Sequence, residues 1–207
     1  MKEITLDLII NAYKRKNYKI WKGVNAYLIH KPYDLNIFGI RSNNLDQSKD
    51  QFDDVLGVFY TETRNNFVLK TWVGTTDPGK YFLNKPMNSA GTFIMIPGQY
   101  RGAYSIGKHH AQDALVQIGS LKGYRDTNKD NILDLNPNQI YNGSGFGVNI
   151  HHKENDSETI GLGSAGCQVF KHTNEHKELM GLCHKAEHFW GNSFTYTLLT
   201  EDEVFNF

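Results

Sequence analysis

Apolar residues at the start of the chain recur at mostly helical spacing: Ile4, Leu8, Ile9, Ala12 and Tyr13. They lead into Lys14-Arg15-Lys16, a basic run suited to the negative end of a helix dipole, so a leading helix is predicted over roughly the first fifteen residues. From about Tyr18 to Phe146 the pattern shortens to β-rich runs: Ala26–Ile29, Ile37–Ile40, Val55–Tyr60, Phe67–Val73 and Thr92–Ile96. Turn-forming clusters separate them, among them Asn43-Asn44, Arg64-Asn65-Asn66, Asp77-Pro78-Gly79 and Pro97-Gly98. Short strands with such punctuation predict a sandwich or barrel-like sheet. Helical spacing returns from Asn174 to Trp190 and stops at Gly191-Asn192, and Phe194–Leu199 reads as a closing strand. The expected fold class is mainly β with a few helices (α+β): a β-sandwich with an N-terminal helix and a second helix after residue 167. Residues 1–50 are expected to form an accessory part packed on a main unit at 51–207, with no internal repeat or low-complexity linker.

Lys+Arg and Asp+Glu both number 22 in 207 residues, so no net field attracts nucleic acid or an anionic membrane, and neither is expected as a partner. The longest apolar stretches, such as Leu6–Ile10 and Phe93–Ile96, fall far short of the roughly 20 residues that span a bilayer. Met1-Lys2-Glu3-Ile4-Thr5-Leu6-Asp7 places an acid inside the first apolar segment, which predicts no secretory signal and synthesis in the cytoplasm. Of the two cysteines, Cys183 shares an apolar helical face with Leu179, Leu182 and Ala186 and reads as a buried structural thiol. Cys167 lies in a glycine-flanked loop, a different setting.

Cysteine chemistry needs a thiol, a base within hydrogen-bond reach and donors aimed at the oxyanion. Gly145-Phe146-Gly147-Val148-Asn149-Ile150-His151-His152 and, after a loop, Gly163-Ser164-Ala165-Gly166-Cys167-Gln168-Val169-Phe170 supply all three types. Gly166 permits a sharp turn that lets its N–H approach a carbonyl. His151 ends an apolar run sixteen residues before Cys167, and a hairpin-like return is expected to bring imidazole and thiol together. Ser164 either orients the imidazole or caps local backbone; the pattern leaves both open.

These residues resemble the catalytic domain of the L,D-transpeptidase (YkuD-like) family, whose motif is His-Gly, a loop, then Ser/Thr-His-Gly-Cys, a hydrophobic residue and Arg or Asn. Ile150-His151 matches the first half; Ser164, Gly166 and Cys167 match the second; Val73-Gly74-Thr75-Thr76-Asp77-Pro78-Gly79 is similar to the turn that precedes the motif. The resemblance implies a Cys167 nucleophile acylated by a peptidoglycan stem peptide, His151 as base, and N–H groups near Gly166 and Cys167 on the oxyanion. Ala165 replaces the second histidine, His152 a usual glycine, and Val169 the Arg or Asn. Loss of that Arg or Asn favours hydrolysis, as carboxypeptidase or endopeptidase, over cross-linking. This Ser-Ala-Gly-Cys variant resembles phage-encoded forms. The rival expectation is a non-catalytic wall-binding or virion structural module with a decayed site.

Further residues complete the candidate site. His152, His109, Arg101 and Tyr104 are candidate substrate contacts, with Tyr100 beside them; Arg101 is suited to bind a stem-peptide carboxylate in place of the missing motif residue, and at least one of His109-His110 is expected at the surface. Asp126, Asn128, Asp130 and Asp134 have the spacing of oxygen ligands in a calcium loop, but Asn131 stands where glycine is usual and Pro137 where a bidentate glutamate is usual. A structural Ca²⁺ and a solvated turn both remain open; no cofactor is required for the chemistry. His172/His176 and His184/His188 are i, i+4 pairs without a His-Glu-x-x-His order, so zinc is not expected.

Overall fold

A computed structural model describes residues 2–64 and 66–206. Helix α1 spans Leu6–Arg15, its first turn capped by Thr5, whose hydroxyl accepts from the Leu8 N–H at 3.4 Å. Its buried face, Ile9, Ala12 and Tyr13, packs on Phe38, Ile40, Val55, Phe59 and Leu199. The C-terminal helix over Glu201–Phe205 closes the same cluster through Val204. It opens with a reciprocal Thr200–Glu203 capping box, and Glu203 also takes Lys16 at 2.6 Å.

Strands β1 (Asn36–Arg41), β2 (Asp54–Thr63) and β3 (Asn66–Thr75) are followed by the short helix α2 (Lys80–Asn84) and then β4 (Thr92–Met95). Next come β5 (Gly98–His109), β6 (Gln112–Gln117), β7 (Leu121–Asp126), β8 (Tyr141–Gly143), β9 (Ile150–His152) and β10 (Gln168–Phe170). Helix α3 (Thr173–Trp190) and β11 (Phe194–Thr200) precede the last helix, α4. Eight strands close into a barrel in the order β1-β11-β5-β6-β9-β10-β3-β2, and β4-β7-β8 form a separate small sheet. The mainly β class, the leading helix and the helix after Cys167 are as expected. The large sheet closes on itself rather than forming a sandwich, through the parallel β1–β11 pair that joins the two ends of the chain. Residues 1–50 contribute β1, which lies between β2 and β11 inside this barrel.

Closure explains why β1 is buried at every position: α1 covers one face and the barrel interior the other. That interior holds Tyr104, Leu115, Phe170 and Tyr196, and one side of α3, Leu179, Met180, Leu182, Cys183 and Ala186, packs against it. Ala26–Ile29 is not a strand. The Asn25 carboxamide oxygen accepts from the N–H groups of Tyr27 and Ile29, both at 3.0 Å, and this Asx-type turn takes the donors a ladder would use. Tyr27, Leu28 and Ile29 are consequently 83%, 74% and 58% exposed. Of the Arg64-Asn65-Asn66 turn, Asn65 lies outside the described residues; β2 and β3 pair antiparallel across it.

Candidate active site

Strands β9 and β10 run parallel, with Gln168 opposite Ile150, Val169 opposite His151 and Phe170 opposite His152. A tight hairpin cannot join parallel strands, so the loop from 153 to 167 is a crossover and the hairpin-like return expected from the spacing is replaced by it. The Gln168 N–H donates to the Asn149 carbonyl at 2.9 Å, which extends the register to Cys167 beside Asn149. Because strand side chains alternate, Asn149, His151, Cys167 and Val169 share one face, with thiol and imidazole diagonal neighbours.

The polar contacts on that face are specific. The Asn149 N–H donates to Cys167 Sγ at 3.4 Å, and the thiol donates to the Gly147 carbonyl at 3.4 Å. The Asn149 amide meets His109 Nδ1 at 3.1 Å, and the His109 ring lies 4.3 Å from that of His151. His151 Nδ1 faces the His152 carbonyl at 2.9 Å; a carbonyl only accepts, so Nδ1 carries the proton and Nε2 presents its lone pair. Nε2 is buried without a hydrogen-bond partner. Burial pushes the Cys167 thiol up to about 11, opposed by the Asn149 N–H, and pushes His151 down to about 3, opposed by the His152 carbonyl. Thiol and imidazole are both neutral at pH 7, and the pair is not a thiolate–imidazolium ion pair.

A cleft of about 510 Å³ opens beside this face, lined by His109, His110, His151, His152, Lys153 and Leu162 among others. Cys167 is 8% exposed. His152 turns Nδ1 to the Lys153 carbonyl and to the Thr173 hydroxyl, and its ring lies 4.9 Å from that of buried His176.

Gly166 has φ +120°, and a Cβ there would sit 2.5 Å from the Phe93 carbonyl oxygen. Only glycine fits, as its place in the motif anticipates. Ser164 is wholly buried; its hydroxyl donates to the Cys167 carbonyl at 2.8 Å and accepts from the Gly166 N–H at 3.2 Å. Of its two open roles it takes the local backbone one. The Gly166 N–H is thereby occupied, which leaves the Cys167 N–H as the candidate oxyanion donor.

Three proposed contacts are placed elsewhere. Tyr104 points into the barrel, fully buried against Tyr196 at 5.8 Å, because it falls on the inward phase of β5; it is core rather than rim. Arg101 is exposed over the Trp21 ring at 5.5 Å and lines a different cavity, with Trp190 and Asp34, rather than the histidine cleft. Tyr100 is buried with its hydroxyl on the Ile96 carbonyl. Cys183 is buried and free, as expected, with its thiol pushed far up by burial.

Asp126 is buried at the end of β7, while Asn128 and Asp130 are exposed and Asp134 is partly buried. His172 pairs with Asp156, and His184 with Asp113 and Glu187. Among the described residues, no group of three or more His, Cys, Asp or Glu side chains is arranged to hold a metal, and no helix is long and apolar enough to cross a membrane.

Asn149 and a buried polar network were not anticipated. Arg41 donates to the Met95 and Thr76 carbonyls at 2.8 and 3.0 Å and its Nε lies 2.6 Å from Asp77. Gln168, next to the cysteine, reaches the same Thr76 carbonyl at 3.4 Å and accepts from the Tyr196 hydroxyl at 2.7 Å. This network fixes β10 and therefore the end of the loop that carries Cys167. Asn149 had a signal, its position two residues before His151 on a period-two strand; Arg41 had none. Comparison with family models, curated proteins and solved structures finds no match to the chain.

Proposed function

We propose that the chain is a cysteine-dependent acyl-transfer enzyme acting on peptidoglycan stem peptides, with Cys167 as nucleophile and His151 as general base. The observation that carries the reading is the shared face: a thiol at the entry to β10 and, on the adjacent parallel strand β9, a partnerless imidazole nitrogen whose ring lines an open cleft. In the reaction the thiol swings from the Gly147 carbonyl toward His151 Nε2, which takes its proton as sulfur attacks the peptide carbonyl carbon. The tetrahedral intermediate expels the amine, which leaves with the imidazolium proton, and a thioester remains on Cys167. Water then releases the acid, or a second amine takes the acyl group. We favour water, because Val169, wholly buried, offers no polar group to an acceptor strand. The reaction calls on no cofactor. The resemblance to phage-type variants extends the proposal to a phage product, synthesised in the cytoplasm and acting on the wall.

One observation favours a second reading, a non-catalytic wall-binding or virion module: the thiol is nearly sealed, protonated and held by backbone on both sides. Incubation with defined muropeptides followed by mass analysis separates the two. A Cys167 acyl adduct or a shortened stem peptide, abolished in Cys167→Ala, is expected; intact substrate and unmodified protein across several wall chemistries contradict the enzyme.

A further inference from the structure

The loop after β7 runs Asp126-Thr127-Asn128-Lys129-Asp130-Asn131-Ile132-Leu133-Asp134. Asp126 is wholly buried. Its Oδ2 accepts from the Asp134 N–H at 3.2 Å, which turns the carboxylate into the loop, while Oδ1 is buried with no hydrogen-bond partner. A buried carboxylate oxygen without a donor or counter-charge is a costly arrangement. The described ion pairs include no partner for Asp126, Asp130 or Asp134. Burial first, then the charges of Asp134 and Asp130, raises Asp126 to about 6, against the N–H groups of Asp134 and Lys129. The Asn128 amide nitrogen bridges Asp130 Oδ2 at 3.1 Å and Asp134 Oδ1 at 3.2 Å, so a donor already stands among these oxygens. Asn131 adopts φ +68°, the left-handed conformation for which such loops use glycine at this position, and Asn84 and the Gln47 N–H hold it from outside.

We propose that this loop, whose three carboxylates are not grouped around a common point in the structure, closes on one Ca²⁺ ion through Asp126, Asp130 and Asp134, the side-chain oxygen of Asn128 and the Ile132 carbonyl. The donors are all oxygen, the chemistry of a hard cation, and their spacing suits the large, flexible shell of Ca²⁺ rather than the tight octahedron of Mg²⁺. Binding turns the Asn128 amide over so that its oxygen replaces its nitrogen, and draws the exposed Asp130 inward. The cation supplies the counter-charge that Asp126 Oδ1 lacks. Through Asp126, paired in register with Thr92, it also stiffens the small sheet whose Phe93 carbonyl lies close against Gly166.

The test is a titration of the chelator-treated full chain with CaCl₂, followed by calorimetry and thermal unfolding. With three carboxylates and no bidentate glutamate, a Kd on the order of 10⁻⁴ M is expected. A hundredfold excess of Ca²⁺ over that then raises Tm by roughly 5–10 °C. MgCl₂ produces no comparable rise, and Asp130→Ala abolishes the calcium response, its calcium-free Tm serving as the reference because the Asp130 side chain also accepts from the Ile132 N–H at 2.8 Å. No heat and no Tm shift up to about 10 mM CaCl₂, an undiminished shift in Asp130→Ala, or an equal response to MgCl₂ overturns the proposal.

Discussion

Replacing Gly166 with alanine probes the link between the small sheet and the cysteine loop. The added Cβ would lie 2.5 Å from the Phe93 carbonyl oxygen and 3.4 Å from its carbon, so the two segments must part by about 0.9 Å to reach an ordinary contact. Neither side yields readily. Phe93 pairs with Arg125 in register, and its ring stacks on Phe146 at 4.4 Å. On the other side Ser164 holds the Gly166 N–H and the Cys167 carbonyl. A φ of +120° adds backbone strain for any residue with a Cβ, about 1–3 kcal/mol, and loss of the Ser164 bond adds about 1 kcal/mol. Gly166→Ala is therefore expected to lose about 2–4 kcal/mol in urea denaturation, or roughly 5–15 °C in Tm, and to change the alkylation rate of Cys167. A loss below about 0.5 kcal/mol with an unchanged alkylation rate refutes the claim that this contact sets the loop.

Arg41→Met leaves Asp77 buried without its cation and is expected to cost about 3–5 kcal/mol. Burial already raises Asp77 to about 7 despite Arg41, so the cost grows as pH rises from 5 to 8; a pH-independent loss under 1 kcal/mol contradicts this. Burial depresses His176 to about 4, below its unfolded value of 6.5, so this group's contribution is present above pH 6.5 and is lost as pH falls toward 4. Asp77 and Asp126, raised by burial to about 7 and 6, act in the opposite sense, so the diagnostic quantity is a difference between proteins. His176→Leu should gain on the parent by about 1.4 kcal/mol per pH unit between pH 6 and 4.5, and parallel stability curves remove the assignment.

The sequence carries local features well and closure poorly. Helix α1 is legible because its apolar spacing, Thr5 cap and basic end agree, and α3 because Gly191, at φ +84°, ends it where the pattern stops. Ala26–Ile29 misleads because an apolar run follows an asparagine whose side chain takes the Tyr27 and Ile29 N–H groups. Whether a sheet closes depends on pairing between distant strands such as β1 and β11, and no local signal encodes it. The same holds for β9 and β10, where spacing suits a return of the chain but not its direction. Within the site, Gly166 was legible because one backbone conformation demands glycine. Tyr104 was not, because the inward phase of β5 is fixed by its neighbours, and a lone Arg41 in an apolar run gives no sign of the carbonyls it will meet.

The central claim is that His151 can act on the Cys167 thiol, and the pH dependence of Cys167 alkylation measures it directly. Iodoacetamide labelling resolved by peptide mass, in the parent and in His151→Ala, gives the rate at each cysteine. The account predicts that Cys167 reacts faster than Cys183 at pH 7, well below its own ionisation at about 11, because His151 takes the thiol proton during attack, and that His151→Ala abolishes this advantage. A Cys167 that stays inert until it ionises at about 11, in the parent and in His151→Ala alike, contradicts it.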